Sequence, residues 1–167
     1  MTIGSPGMAE RALTAGASSV GHYVGLPILA GDPAAEVTVG AVGDFEVPEV
    51  DLTAQLAVVL DDDDETLSTA CLPLTDDLTD QIALISRGGC TFGQKIQNAE
   101  DAGAIAAIVV NNLQGDPSAM GGDGVNAPKI PAVMAPLTAK GDLMALDGAD
   151  VTLGAAPSYA RTLNDDI

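Results

Sequence analysis

The chain of 167 residues has no tryptophan and only two phenylalanines and two tyrosines. Flat aromatic faces are what proteins use to stack sugars and bases. Carbohydrate or single-strand nucleic-acid binding by stacking is therefore poorly supplied. Positive charge is scarce too: 6 basic residues stand against 24 acidic ones, a formal charge of −18. Such a surface repels phosphate backbones and anionic lipid, so neither nucleic acid nor a membrane is expected as a partner. No basic residue lies between Arg11 and Arg87, which concentrates the negative field in the first half. With one histidine, His22, and two cysteines, Cys71 and Cys90, the chain cannot supply a four-ligand Cys/His zinc site. The isolated cysteine pair fits one disulfide or two buried thiols. No apolar run reaches the roughly 18 residues of a membrane span. The start, MTIGSPGMAERALTAG, lacks the basic-then-apolar order of a secretory signal.

What is present is a core. Apolar residues make up 47% of the chain, mostly small aliphatic ones, enough for one ordinary domain. Ala12–Ala17 and His22–Ala30 read as extended, the latter broken by Gly25 and Pro27, and residues 31–51 hold one or two edge strands. The compact runs QLAVVL (55–60) and QIALIS (81–86) read as buried strands. A helix follows Cys90. Thr91 can cap it, Gln94 completes a capping box, and Phe92, Ile96 and Ala99 form a narrow apolar stripe, with Lys95, Asn98 and Asp101 facing elsewhere. Gly103 ends it, and IAAIVV (105–110) is the next strand. Strand, helix, strand is a βαβ unit, expected parallel and right-handed. The Gly-rich stretch Asn111–Ala127 exceeds an ordinary connection and points to a functional or mobile loop. PKIPAVMA (128–135) reads as a strand, Thr138 as the cap of a second helix carrying Leu143 and Leu146 inward, and DVTLGA (150–155) as the last strand.

Catalytic chemistry is missing. Ser5 lies in GSPGM, not in a nucleophile elbow, and nothing ties His22 to a serine. No catalytic residue is assigned. The acidic run 61–65 resembles half of a calcium loop but has Thr66 and Leu72 where the glycine and bidentate glutamate belong, leaving Asp61, Asp63 and Glu65 as a weak calcium candidate. Mutual repulsion more simply makes that run a solvated loop. Gly121-Gly122-Asp123-Gly124 lacks the lysine and hydroxyl of a phosphate loop, so no nucleotide cofactor is expected.

The stretch from Gln81 to Leu146 resembles the protease-associated domain family. The residues that carry this are IALIS, then Arg87-Gly88-Gly89-Cys90-Thr91-Phe92, Lys95, Ala102-Gly103-Ala104, IAAIVV, Asn111-Asn112, the loop Met120-Gly121-Gly122-Asp123, and Ile130–Met134. A shorter likeness, Ile3–Ala9 and Ala12–Ser18, resembles a catalytic-domain segment of subtilisin-like proteases, with Ala15 where valine is usual. The Gly-Thr-Ser-Met-Ala serine motif of those enzymes is absent, as are their Asp and His motifs.

The resemblance implies an α/β (α+β) domain: a β-sandwich or open barrel of about 6–8 strands with 2–3 helices, containing the βαβ unit. It divides the chain into a host-domain remnant (1–19), the protease-associated domain (20–157) and a linker back to the host (158–167). It implies a Cys71–Cys90 disulfide, closing a loop of about 20 residues and stabilising by roughly 3 kcal/mol, and hence a secreted protein. It further implies a non-catalytic accessory domain of a secreted subtilisin-like endopeptidase, whose partners are the parent catalytic domain and a protein or peptide substrate. A free-standing peptide or cargo receptor domain and an insert of a zinc aminopeptidase are the alternatives. The expected contact surface is Arg87, Gly88, Gly89, Thr91, Asn111, Asn112, Met120, Gly121, Gly122 and Asp123. Phe92 is expected in the core, and Lys95 is expected to pair with a nearby acid.

Overall fold

A computed structural model describes residues 22–61 and 66–161. The expected strand Ala12–Ala17 and the host-like segment therefore lie outside the described residues. Among the described residues eight strands run in chain order: β1 (His22–Ala30), β2 (Ala35–Gly40), β3 (Leu52–Val58), β4 (Ile82–Ser86), β5 (Ala106–Val110), β6 (Ala132–Ala135), β7 (Asp150–Leu153) and β8 (Ser158–Arg161). Two helices, α1 (Phe92–Asp101) and α2 (Lys140–Met144), complete the α+β fold. No described helix is long and apolar enough to cross a membrane.

The strands form one mixed sheet in the order β2-β1-β7-β3-β4-β5-β6, with β8 added to β1. One half is antiparallel, joining β1 to β2, β7 and β8, and β7 to β3. The other half, β3-β4-β5-β6, is parallel. β4, α1 and β5 form the expected βαβ unit. The sheet curls until its two outer strands approach, where Ala41 and Met134 exchange backbone bonds of 2.8 and 2.9 Å. The result is an open barrel.

The periods of the two halves explain the layers. In β4 and β5, Ile82, Leu84, Ala106, Ile108 and Val110 point into the barrel, where they meet Leu26, Ile28, Leu56, Val151, Leu153 and Leu143 of α2. The alternate residues, Ala83, Ile85, Ala107 and Val109, face outward and are covered by Ile96 and Ala99 of α1. Both faces of the parallel half are buried, which is why its strands are continuous apolar runs.

Three sequence expectations need correction. Thr138 caps no helix: Leu137–Ala139 is a 3-10 turn, and α2 begins at Lys140 without a side-chain cap. Only half of the capping box forms. The Thr91 hydroxyl accepts from the Gln94 N–H at 3.3 Å, while the Gln94 side chain donates instead to the Cys71 carbonyl at 2.8 Å. The segment assigned as a linker from residue 158 begins with β8, paired to β1 from His22↔Arg161 to Gly25↔Ser158.

Candidate functional site

β4 ends at Ser86, and the chain turns through Gly88 and Gly89 at φ +122 and +77. Side chains are strained at these angles. At Gly89 a Cβ would also sit 2.8 Å from the Cys71 sulfur. Cys71 and Cys90 are joined in a disulfide that ties this turn to the segment before it.

The turn is set from below by α1. Lys95 is 0% exposed. Its ammonium donates to the carbonyls of Thr69 (2.6 Å), Ser86 (3.0 Å) and Gly88 (2.9 Å). Asn98 donates to the Ala70 carbonyl at 2.8 Å. Lys95 thus contradicts the expectation of an acidic partner and an outward position. Residues 92, 95, 96 and 99 share one helix face by the i, i+3, i+4, i+7 rule, and that face is buried. Burial pushes the Lys95 ammonium down to about 8, and three carbonyl acceptors match its three N–H donors.

Above the turn lie two polar pairs. Arg87 donates through Nη1 to the Asn111 side-chain oxygen at 2.9 Å, and its guanidinium lies 5.9 Å from the centre of the Phe92 ring, a cation–π distance. Asn111 is 2% exposed, and its oxygen also accepts from the Leu113 N–H at 3.3 Å. Among the described residues the Arg87 guanidinium makes only this one hydrogen bond, leaving most of its five donors for another acceptor.

The second pair is Thr91 and Asp123. The Asp123 carboxylate accepts from the Thr91 hydroxyl (2.6 Å), the Asn126 side chain (2.8 Å), and the backbone N–H groups of Val125 (2.9 Å) and Asn126 (2.8 Å). The Thr91 and Asn126 side chains, then those N–H groups, hold this carboxyl well below the usual carboxylate range. Gly93 makes the approach possible, since a Cβ there would lie 2.7 Å from the Asp123 oxygen. The Asp123 charge therefore sits at the first turn of α1, where the helix dipole favours it.

The structure thus brings Arg87 to Asn111, Thr91 to Asp123, and Asn112 over Gly88, where a Cβ would be 3.4 Å from the Asn112 amide nitrogen. Gly121 and Gly122 are exposed, and the Gly122 N–H donates to Asp44 at 3.1 Å. Met120 does not belong to the surface. It is 0% exposed in the outer core, and its carbonyl accepts from the Asp44 N–H at 2.9 Å. Phe92 is partly buried against that core. Of the calcium candidates, Asp63 and Glu65 lie outside the described residues; the Asp61 N–H donates to the Thr66 carbonyl at 2.8 Å. Among the described residues no group of three or more His, Cys, Asp or Glu side chains could hold a metal ion. Sequence reasoning missed Asp44 and Asn126, which carry no local motif, and misread Lys95, whose helical spacing was available.

The model of the PA domain family matches residues 33–143. The chain is 47% identical over 68 residues to a probable leucine aminopeptidase 2 of Aspergillus fumigatus, covering 41% of this chain and 13% of that protein. It is 29% identical over 121 residues to the minor extracellular protease Vpr of Bacillus subtilis, covering 69% of this chain and 14% of that protein. Among solved structures it is similar to a zinc aminopeptidase from Bacillus subtilis, at 25% identity and a TM-score of 0.52, covering 84% of this chain and 33% of that one. The chain therefore spans a small part of each of these proteins.

Proposed function

This chain belongs to the PA, or protease-associated, domain family, and from that premise we propose that it is a non-catalytic accessory module of a secreted peptidase that engages the protein substrate or controls its access to the active site. The observation that carries the reading is Arg87. It stands on a turn fixed by a disulfide and a buried lysine, yet its guanidinium is bonded only to Asn111 among the described residues. A rigidly mounted, part-satisfied guanidinium suits a peptide carbonyl or carboxylate. Asn112 and the exposed Leu113, 58% accessible, stand beside Asn111 in sequence and extend the surface.

The subtilisin-like parent is supported by the segment Ile3–Ser18 and by the long match to an extracellular protease, which also supports secretion. An aminopeptidase parent is supported by the higher identity to a probable leucine aminopeptidase and by the fold shared with a zinc aminopeptidase. The flanking coding sequence separates them: a downstream Gly-Thr-Ser-Met-Ala motif selects the first, and zinc-ligand motifs select the second.

The pure chain should release no fluorescent fragments from labelled casein; release abolished by a serine-protease inhibitor overturns the reading. In the parent enzyme, Arg87→Ala should lower kcat/KM for a protein substrate and leave a small-peptide substrate unchanged. Equal loss on both would assign the residue to folding instead.

A further inference from the structure

The start of β1 and the whole of β8 form a short two-stranded ribbon. Its pairs run His22↔Arg161, Tyr23↔Ala160, Val24↔Tyr159 and Gly25↔Ser158. β2 joins β1 only from Leu26, and β7 only from Ile28. Directly opposed residues share a face of a ribbon, and successive residues alternate between faces. One face therefore carries Tyr23, Gly25, Ser158 and Ala160, and it is turned to the barrel. The Tyr23 hydroxyl donates to the Val39 carbonyl at 3.0 Å, and the Ser158 hydroxyl donates to Glu36 at 2.8 Å. Gly25 lies so close to the Gly40 backbone that no Cβ would fit.

The other face carries His22, Val24, Tyr159 and Arg161, and all four are exposed. Val24 leaves 49% of its surface open and Tyr159 leaves 70%. A single exposed apolar side chain is ordinary. Here two stand directly opposed, on a face with no covered member. The His22 and Tyr159 rings lie 5.8 Å apart, tilted by 60°. That contact orients the tyrosine in advance and lessens the entropy lost when it meets a partner. The face carries no carboxylate and one of the six bases of a chain with 24 acids. Aromatic side chains and arginine without acids are the composition of the centre of a protein interface.

The topology selects the occupant. His22 and Arg161 are paired, so the chain enters and leaves the sheet side by side at this face. Any domain joined through either strand is held beside it at high effective concentration. The chain spans 14% of the matched extracellular protease and 33% of the matched zinc aminopeptidase. We propose that this ribbon face is the docking surface for the catalytic domain of the parent peptidase. Tyr159 and Val24 fill an apolar hollow of that domain, and Arg161 meets a carboxylate on it. The proposal rests on the accessory-module reading for the existence of that domain, and it uses no residue of the Arg87 surface.

The test is hydroxyl-radical footprinting of the 167-residue chain and of the full parent, both without substrate. Tyr159 and Val24 should label readily in the chain and be protected several-fold in the parent. Leu72 and Val125, exposed elsewhere on the chain, should label equally in both. In the parent, Arg161→Glu should raise the undocked fraction about tenfold, read as Tyr159 labelling, and Tyr159→Ser should do so as read at Val24. Neither variant should move the unfolding midpoint of the isolated chain, which shows that the domain itself stays folded. Equal Tyr159 labelling in chain and parent would overturn the proposal, as would protection spread evenly over Leu72 and Val125. Protection already present in the chain alone would overturn it too: independent of concentration, residues 1–21 or 162–167 cover the face, and dependent on concentration, a second copy does. No readout here is activity, so docking and the Arg87 reading can each fail alone.

Discussion

The turn Arg87–Thr91 and the loop Asn111–Ala127 touch at two points, Arg87–Asn111 and Thr91–Asp123. They are organised by opposite charges in opposite settings. The turn closes over a cation, Lys95, buried with three carbonyls and backed by a disulfide. The loop gathers around an anion at the surface, Asp123, which collects four donors. A buried charge must be fully solvated by protein groups, because leaving either side unpaired is expensive. A surface charge has water as its alternative, so its bonds shape the loop without being required by the fold. The turn should therefore be part of the globally cooperative structure, and the loop should open on its own.

The strongest way to break this comparison is Lys95→Met. It leaves the Thr69 and Ser86 carbonyls without that donor in a buried site, and an unsatisfied buried group is worth about 1–3 kcal/mol. The expected loss is about 3–5 kcal/mol in denaturant unfolding. A loss below about 1 kcal/mol would mean that the carbonyls find water and that the turn is no more demanding than the loop.

Titration sharpens the same point. The folded Lys95 is pushed from 10.5 down to about 8, so between these values the unfolded chain binds more protons. The desolvation penalty is fully present below pH 8, and stability should rise as the pH increases from 8 to 10.5. A flat profile in the wild type, matched by Lys95→Met, would show that the three carbonyls offset the desolvation entirely.

Next in size is the disulfide. Replacing Cys71 and Cys90 by serine should lower stability by about 3 kcal/mol, chiefly by freeing the unfolded chain. The folded turn should persist, because Gln94, Lys95 and Asn98 still hold the carbonyls of Cys71, Thr69 and Ala70. Gly88 and Gly89 amide shifts close to those of the oxidised protein would support this. Their collapse would show the disulfide, not α1, to be the mould of the turn.

The same contrast decides how much was legible in the sequence. The parallel half was readable because both its faces are buried: QIALIS and IAAIVV announce themselves as runs, and their strands fall at 82–86 and 106–110. The antiparallel half was blurred. β1 contains Pro27, which reads as a break, yet Pro27 is tolerated because its carbonyl, not a missing N–H, serves the Gly154 amide at 2.9 Å. β8 is a four-residue strand of alternating exposure with no apolar run to mark it. At the site, the motif of the turn is local and visible in sequence, whereas the partners its residues meet are not. Asp44 reaches Gly122 across 78 positions, and no local pattern encodes such a distance. Lys95 differs for another reason: its charge predicts exposure, although the helical period places it with Phe92, Ile96 and Ala99.

The smallest expected effect on global stability belongs to Asp123, and it is the most diagnostic. Asp123→Ala removes the acceptor of the Thr91, Val125 and Asn126 donors. Hydrogen exchange should accelerate at residues 122–126 while β4 and β5 keep their protection. Acid should mimic the substitution. The folded Asp123 titrates well below its ordinary value of 3.8, so its contribution is complete above that value and is lost as the pH falls through the folded one. The loop should stay latched at pH 5 and loosen only in strong acid, with the Lys95 turn unaffected because its ammonium remains charged there. If β4 and β5 lose protection together with the loop, in the variant or in acid, the two regions form one cooperative unit, and the distinction between a required buried cation and an optional surface anion does not hold.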